Sequence, residues 1–231
     1  MKKIAVIPAR SGSKGLKDKN IIDMCGKPMM VYSIAAALEA QCFDRVIVST
    51  DSERYGTIAE SAGAEVVYRG EAVSNDSAST YMVLEDLFEK IGTGFDYFVL
   101  LQPTSPLRDS KHVQEAVKLF EISFNDFDFL VSMKAAEHAR VLVHPLGRDG
   151  SLMYFDTDFS KYRRQQFQDY SPNGAIFMGK PKEYLLQKHF FGAKSIAYIM
   201  NATDSVDVDN ELDYKFASLC MEEKLQRKTL E

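Results

Sequence analysis

IAVIPARSGSKGLKDKN, residues Ile4–Asn20, passes from an apolar run into a loop that holds four basic residues, Arg10, Lys14, Lys17 and Lys19, and two glycines. Ile4–Ala9 reads as a strand. A basic, glycine-containing loop at the carboxyl end of a strand is where an open α/β sheet binds anions. Gly12 and Gly15 let the backbone turn and present N–H groups, Lys supplies a point charge, and Arg a two-pronged grip. A solvated charged turn is the alternative reading. The spacing is neither GxxxxGK[ST], since Leu16 and Lys17 follow Gly15, nor GxGxxG, since Arg10 stands where the first glycine belongs. Asp51, after the second strand, imitates the ribose-binding acid of a dehydrogenase but equally reads as a helix cap.

Outward from this loop, apolar runs alternate with amphipathic segments. Strands are expected at Ile4–Ala9, Arg45–Ser49, Glu65–Tyr68, Tyr97–Leu101 and Asp128–Met133, with helices over Pro28–Ala40, Ser52–Ala62, Ser79–Ile91 and Asp109–Ser123. The continuous apolar run YFVLL predicts a sheet covered on both faces, and the alternation predicts right-handed βαβ units in a mostly parallel sheet. Residues 134–171 break the rhythm and are expected to form an inserted lobe, with short strands at Arg140–His144 and Leu152–Phe155. The pattern resumes with a strand at Gly174–Met178, a helix from Pro181 to Lys188, a strand at Ser195–Met200 and a last helix over Asn210–Arg227. With 231 residues, 45% of them hydrophobic, the whole chain reads as one domain.

A net charge of -5 argues against a general nucleic-acid or membrane-surface binder. No run has the length of a membrane-spanning helix, and Cys25, Cys42 and Cys220 lack metal-type spacing, which together predict a cytoplasmic protein. The second informative stretch is DSVDVDNELD, Asp204–Asp213. Residues two apart on an extended segment project to one side, so Asp207 and Asp209 can converge. Paired carboxylates suit Mg²⁺ that also holds a nucleotide phosphate. Solvated acids capping the last helix, with Asp209 as the cap, are the alternative. Cations and carboxylates together point to phosphoryl or nucleotidyl transfer.

IPARSGSKGLKDKN, VSTDS after the second strand, LLQPTSPLR at 100–108, PNGAIF at 172–177 and SVDVD at 205–209 occur in this order. Together they resemble the bacterial CMP-sialic acid synthetases, the N-acylneuraminate cytidylyltransferases. The resemblance implies a Rossmann-like nucleotidyltransferase fold with a small dimerisation lobe. It also implies Mg²⁺-dependent transfer of CMP from CTP to the C2 hydroxyl of a nonulosonic acid. On the matching positions Arg10, Lys14 and Lys19 hold the triphosphate, and Ala9, Arg10, Asn20, Arg69, Ala78 and Thr80 line the nucleotide site. Asp207 and Asp209 hold the metal.

For the sugar the resemblance implies Gln102, Arg164 (with Arg163 an equal candidate), Asn173, Phe177, Phe190 and Phe191. Without it, Gln102 serves its loop backbone, and Phe190 and Phe191 read as core. The chain departs from the family in the lobe, where E-H-x-P-x-K becomes Glu137-His138-Ala139-Arg140-Val141-Leu142. The lysine position is Leu142, and Arg140 is the substitute candidate. Related acids (legionaminic acid, KDO), a dehydrogenase and a non-catalytic nucleotide-binding module are the alternatives. The implied partners are CTP, the sugar acid and a second copy of the chain, joined through residues 134–171.

Overall fold

Alternation within β1 (Lys3–Pro8) sends Ile4 and Val6 to one face of a sheet and Ala5 and Ile7 to the other, and all four are buried. That two-sided burial accounts for its near-continuous apolar sequence. The computed structural model describes residues 1–13, 15–163 and 168–230. After β1 come a small hairpin, β2 (Asp23–Met24) and β3 (Lys27–Pro28), then α1 (Met29–Glu39), β4 (Arg45–Thr50), α2 (Glu53–Ser61) and β5 (Glu65–Tyr68). The chain continues through α3 (Thr80–Ile91), β6 (Tyr97–Leu100), α4 (Ser110–Ile122), β7 (Phe129–Ala135), β8 (Tyr170–Gly179), α5 (Pro181–Gln187), β9 (Ser195–Ile199) and α6 (Glu211–Leu230). The seven-stranded sheet has the order β5-β4-β1-β6-β8-β7-β9, and β8 alone runs antiparallel. This is the expected α/β, Rossmann-like architecture.

Two apolar layers cover the sheet. On one face β1, β4 and β6 pack against α1, α2 and α4 through residues such as Ile34, Tyr55 and Phe120. The other face packs on α3 and the α5 region through Leu84, Leu87, Phe88, Tyr184 and Phe190. A third cluster joins Met24, Met29 and Leu107 to Val206, Val208, Ala217 and Met221, so the end of the chain is pinned beside the hairpin. None of the described helices is long and apolar enough to cross a membrane.

The structure corrects the reading of residues 134–171. Ala135 pairs with Tyr170 and Lys134 with Ser171, so both ends of the expected insert belong to the main sheet. Neither expected inner strand forms. Arg140–Leu142 is a 3-10 turn and Phe155 N–H closes a turn on the Leu152 carbonyl. Instead of strand pairing, ring contacts link His144, Phe155, Phe159 and Tyr162, with centroids 4.9, 6.5 and 6.3 Å apart along that series. Phe155 and Tyr162 are half-buried within this aromatic series. Pro28, expected as the first helical residue, instead caps α1 from outside, and the helix starts one residue later at Met29.

One charged cluster ties α6 to the start of α4. His112 Nδ1 lies 2.8 Å from Asp109 Oδ1 and Nε2 3.6 Å from Asp204 Oδ2, while Lys224 Nζ reaches Asp109 Oδ2 at 2.8 Å and Asp204 Oδ1 at 2.9 Å. Burial opposes charging of His112, but the two carboxylates outweigh it and push its pKa up to about 9. Burial would raise Asp109, but bonds from His112 and Lys224 outweigh it and hold it low; the His112 bond likewise lowers Asp204. The histidine's contribution is therefore full below its unfolded value of 6.5 and lost as pH rises through about 9. The aspartates contribute above about pH 3.9 and lose that contribution in acid. His112→Gln is expected to be less stable than the parent near pH 6 by about 2 kcal/mol. The gap should close by pH ~9.5, as read by melting temperature across pH.

Candidate active site

All six parallel strands end at one edge of the sheet, and the topology reverses between β1 and β6, which is where such sheets bind ligands. A cleft of about 460 Å³ opens there, lined by Arg10, Lys19, Asn20, Arg69, Ala78, Thr80, Gln102, Thr104 and Asp209, among others. A slightly larger one, about 480 Å³, lies around His112 and Lys224 between α4 and α6. There His112 and Lys224 pair with Asp109 and Asp204, whereas the cleft at the strand ends is lined by a buried arginine, Arg69, with donors unpartnered among the described residues, and is the better candidate for chemistry.

The basic loop is shaped from two sides. Ser11 donates from both N–H and Oγ to Asp51, each at 2.7 Å, which ties the loop to the end of β4. Asp51 thereby gains a structural role, and the dehydrogenase reading of it loses its support. Asn20 is buried and donates to the Arg10 carbonyl at 3.0 Å. Gly15 packs on the Asp209 main chain so closely that an added Cβ would lie 2.6 Å from the Asp209 carbonyl oxygen. Lys19 Nζ donates to Asp209 Oδ1 at 2.8 Å, and Arg10 pairs with Asp76 at 2.9 Å. Lys14 lies outside the described residues.

The segment 205–209 is not a strand, yet it alternates as expected. Val206 and Val208 enter the third apolar cluster, while Asp207 and Asp209 face outward. Val208 N–H donates to the Thr104 carbonyl at 2.8 Å, which holds the segment to the loop after β6. Asp207 is solvent-exposed as a residue, while its carboxyl group lies against the Gly174 main chain. Burial first, and then the charges of Asp209 and Asp213, push its carboxyl up against a hydrogen bond from Thr104 and the pull of Lys19. Gly174 has φ +78°, and a Cβ there would stand 3.0 Å from both Asp207 Oδ2 and Gln102 Oε1. Glycine at this point lets both side chains pack against the main chain.

A second cavity of about 320 Å³ adjoins the first, sharing Thr80 and Gln102. Its wall is aromatic: Tyr81, Phe177, Tyr184, Phe190 and Phe191. Phe190 is also core, in ring contact with Phe98, Phe129, Phe177 and Tyr184, so both readings of it hold. Phe191 is exposed at the mouth. Lys188, with Nζ 4.9 Å above the Tyr81 ring, lines this cavity too, and nothing in its sequence context pointed to that.

Other expected residues take different places. Ala9 has its side chain in the core and its N–H on the Ser49 carbonyl, which leaves only its carbonyl for a ligand. Asn173 is buried with its amide fully engaged. Oδ1 accepts from Ser132 Oγ (2.6 Å) and Ala175 N–H (3.1 Å), and Nδ2 donates to Ser205 Oγ (2.8 Å). It braces Gly174 from behind. Arg164 lies outside the described residues, and Arg163 is exposed, donating to the carbonyl of Tyr162.

Arg69 is 6% exposed, yet its Nε and Nη1 meet no acceptor among the described residues. Buried donors without partners are costly, so the cleft is built to receive acceptor atoms. Gly15→Ala must move the loop off Asp209. It is expected to weaken tripolyphosphate binding by about tenfold, with little change in melting temperature, as measured by calorimetry.

The chain is 44% identical over 225 residues to an N-acylneuraminate cytidylyltransferase of Escherichia coli O18:K1:H7, an alignment covering 97% of this chain and 53% of that protein. The chain thus spans about half the length of this relative. A pseudaminic acid cytidylyltransferase of Campylobacter jejuni is 30% identical over 224 residues, covering 95% of this chain and 96% of that one. Among solved structures, a CMP:2-keto-3-deoxy-manno-octonic acid synthetase complexed with CTP superposes with TM-score 0.71 at 17% identity, covering 97% of this chain and all of the other, a likeness of fold. The cytidylyltransferase family model matches residues 4–227, and the chain belongs to that family.

Proposed function

We propose that the chain transfers CMP from CTP to the C2 hydroxyl of N-acetylneuraminic acid, releasing pyrophosphate. The observation that carries this reading is the pair of joined cavities, one cationic and one aromatic, that share Gln102. The 44% identity to an N-acylneuraminate cytidylyltransferase supports the sugar choice. The C. jejuni relative keeps other nonulosonic acids as the second reading.

In the reaction the hydroxyl oxygen forms a bond to the α-phosphorus of CTP while the bond to the pyrophosphate oxygen breaks and the hydroxyl proton leaves. Arg10 and Lys19 neutralise the triphosphate, which requires each to exchange its present carboxylate partner for phosphate. The open donors of Arg69 bind the cytidine side. Gln102 orients the acid between the cavities, and the Phe177, Phe190 and Phe191 rings cover its N-acyl group.

Asp207 and Asp209 would hold Mg²⁺. Their fit follows from two crowded carboxylates, one of them pushed up by burial, with the Lys19 ammonium already drawn to the pair. Bound there, the metal would lower phosphate charge and favour ionisation of the attacking hydroxyl.

The insert supports a homodimer. Val143, Leu146, Leu152, Met153 and Tyr154 are all exposed apolar groups on it. Arg140 is exposed and lines neither cavity of its own chain, a placement that suits the neighbouring copy's site. Three unpaired cysteines accord with a cytoplasmic setting.

Pyrophosphate release should be measured with CTP and a panel of N-acetylneuraminic, legionaminic, pseudaminic and KDO acids, with and without Mg²⁺. N-acetylneuraminic acid is expected to give the highest kcat/KM. Lys19→Ala and Asp209→Ala should each cost at least about 10²-fold in turnover while remaining folded. Near-parental turnover in both variants would reject the reading. Sedimentation is expected to show a dimer, and a fully active monomer would reject that part alone.

A further inference from the structure

Arg108, the last residue of LLQPTSPLR, is 1% exposed and has no ion-pair partner among the described residues. Its Nη2 donates to Ser33 Oγ at 2.7 Å and to the Gln102 carbonyl at 3.3 Å, and its Nε makes a long contact of 3.5 Å to the Ala175 carbonyl. Nη1 meets no acceptor among the described residues. Asp109 is the carboxylate whose charge it feels, but that group is held by His112 and Lys224. Burial lowers the guanidinium pKa to about 10, which leaves it charged at neutral pH. An enclosed cation without a counter-ion destabilises a fold relative to an apolar residue of similar volume, so a purely structural filler would not be an arginine.

The three segments that Arg108 touches frame one residue. Ser33 Oγ, besides accepting from Arg108, donates to the Gln102 carbonyl at 3.2 Å, so that carbonyl receives two donors. Ala175 directly follows Gly174, over which the Gln102 side chain lies. Gln102 in turn lines both cavities. We infer that Arg108 is a positioning residue for the acceptor: its guanidinium clamps the Gln102 main chain so that the amide faces the acceptor, and its uncompensated charge lies behind the floor on which an anionic sugar acid docks. This rests on the proposed cytidylyltransferase reading.

The test compares the full chain with Arg108→Met, Arg108→Lys and Ser33→Ala. It measures pyrophosphate release against N-acetylneuraminic acid concentration, CTP binding by calorimetry, and folding by circular dichroism. Arg108→Met is expected to raise the acceptor KM by about tenfold with CTP affinity within about twofold of the parent. Arg108→Lys, which keeps the charge and one donor, should recover at least about half of that loss, and Ser33→Ala should raise the acceptor KM by about threefold.

An acceptor KM within about twofold of the parent in folded Arg108→Met overturns the inference. So does a parallel loss of CTP affinity, the mark of general disorder. Should Arg108→Met fail to fold, Arg108→Lys and Ser33→Ala decide, and an unchanged acceptor KM in both overturns it. A parent that releases no pyrophosphate with any acid removes the functional reading and this inference together, a result visible before any variant is measured.

Discussion

Lys19 and Asp209 are 190 residues apart along the chain and meet at 2.8 Å. Everything that makes the cleft depends on this closure of the chain's end over its beginning. Strand order brings the two loops to one edge of the sheet, and burial of Val206 and Val208 fixes the facing of Asp207 and Asp209. Gly15 then admits the Asp209 carbonyl closer than any Cβ would allow. Lys19 is mostly enclosed but the Asp209 side chain is 72% exposed, so solvent screens the pair. The pair is therefore a light latch across the cleft, open to displacement by an anionic ligand.

Much of this was legible from residue types. Near-continuous apolar strands and their spacing with helices specified a doubly covered, mostly parallel sheet. The VDVD alternation correctly separated buried valines from outward carboxylates even though no strand forms there. The insert was misread because the alternation Arg140–His144 has no neighbouring strand to pair with, and stacking of His144, Phe155 and Phe159 satisfies the aromatic groups instead. The role of Asn173 was hidden for a related reason. An Asn-Gly pair resembles an exposed turn, whereas β8 carries it into the interior, where Ser132 and Ser205 saturate its amide. Position beneath a loop, as for Arg108, leaves no local pattern to read.

Charge is distributed to a purpose in this acidic chain. The carboxylates outnumber the cations, 33 to 28, yet two nearly buried guanidinium groups, Arg69 and Arg108, lie beside the cleft without a carboxylate partner among the described residues. Arg10 and Lys19 are balanced, but by side chains of flanking loops that are themselves part of the cleft. Local positive potential is thus created by which charges are left uncompensated, independently of the net charge.

The reversed strand β8 has a consequence for how this fold can vary. Its first residues, rather than its last, stand at the ligand edge, paired with the end of β7. Residues 136–169 therefore leave and re-enter the sheet at adjacent points beside the cleft, like a cassette plugged into a fixed socket. Such a segment can be lengthened, shortened or exchanged without re-threading the sheet, and so can be traded between scaffolds while the β1 side of the strand-end cleft stays untouched.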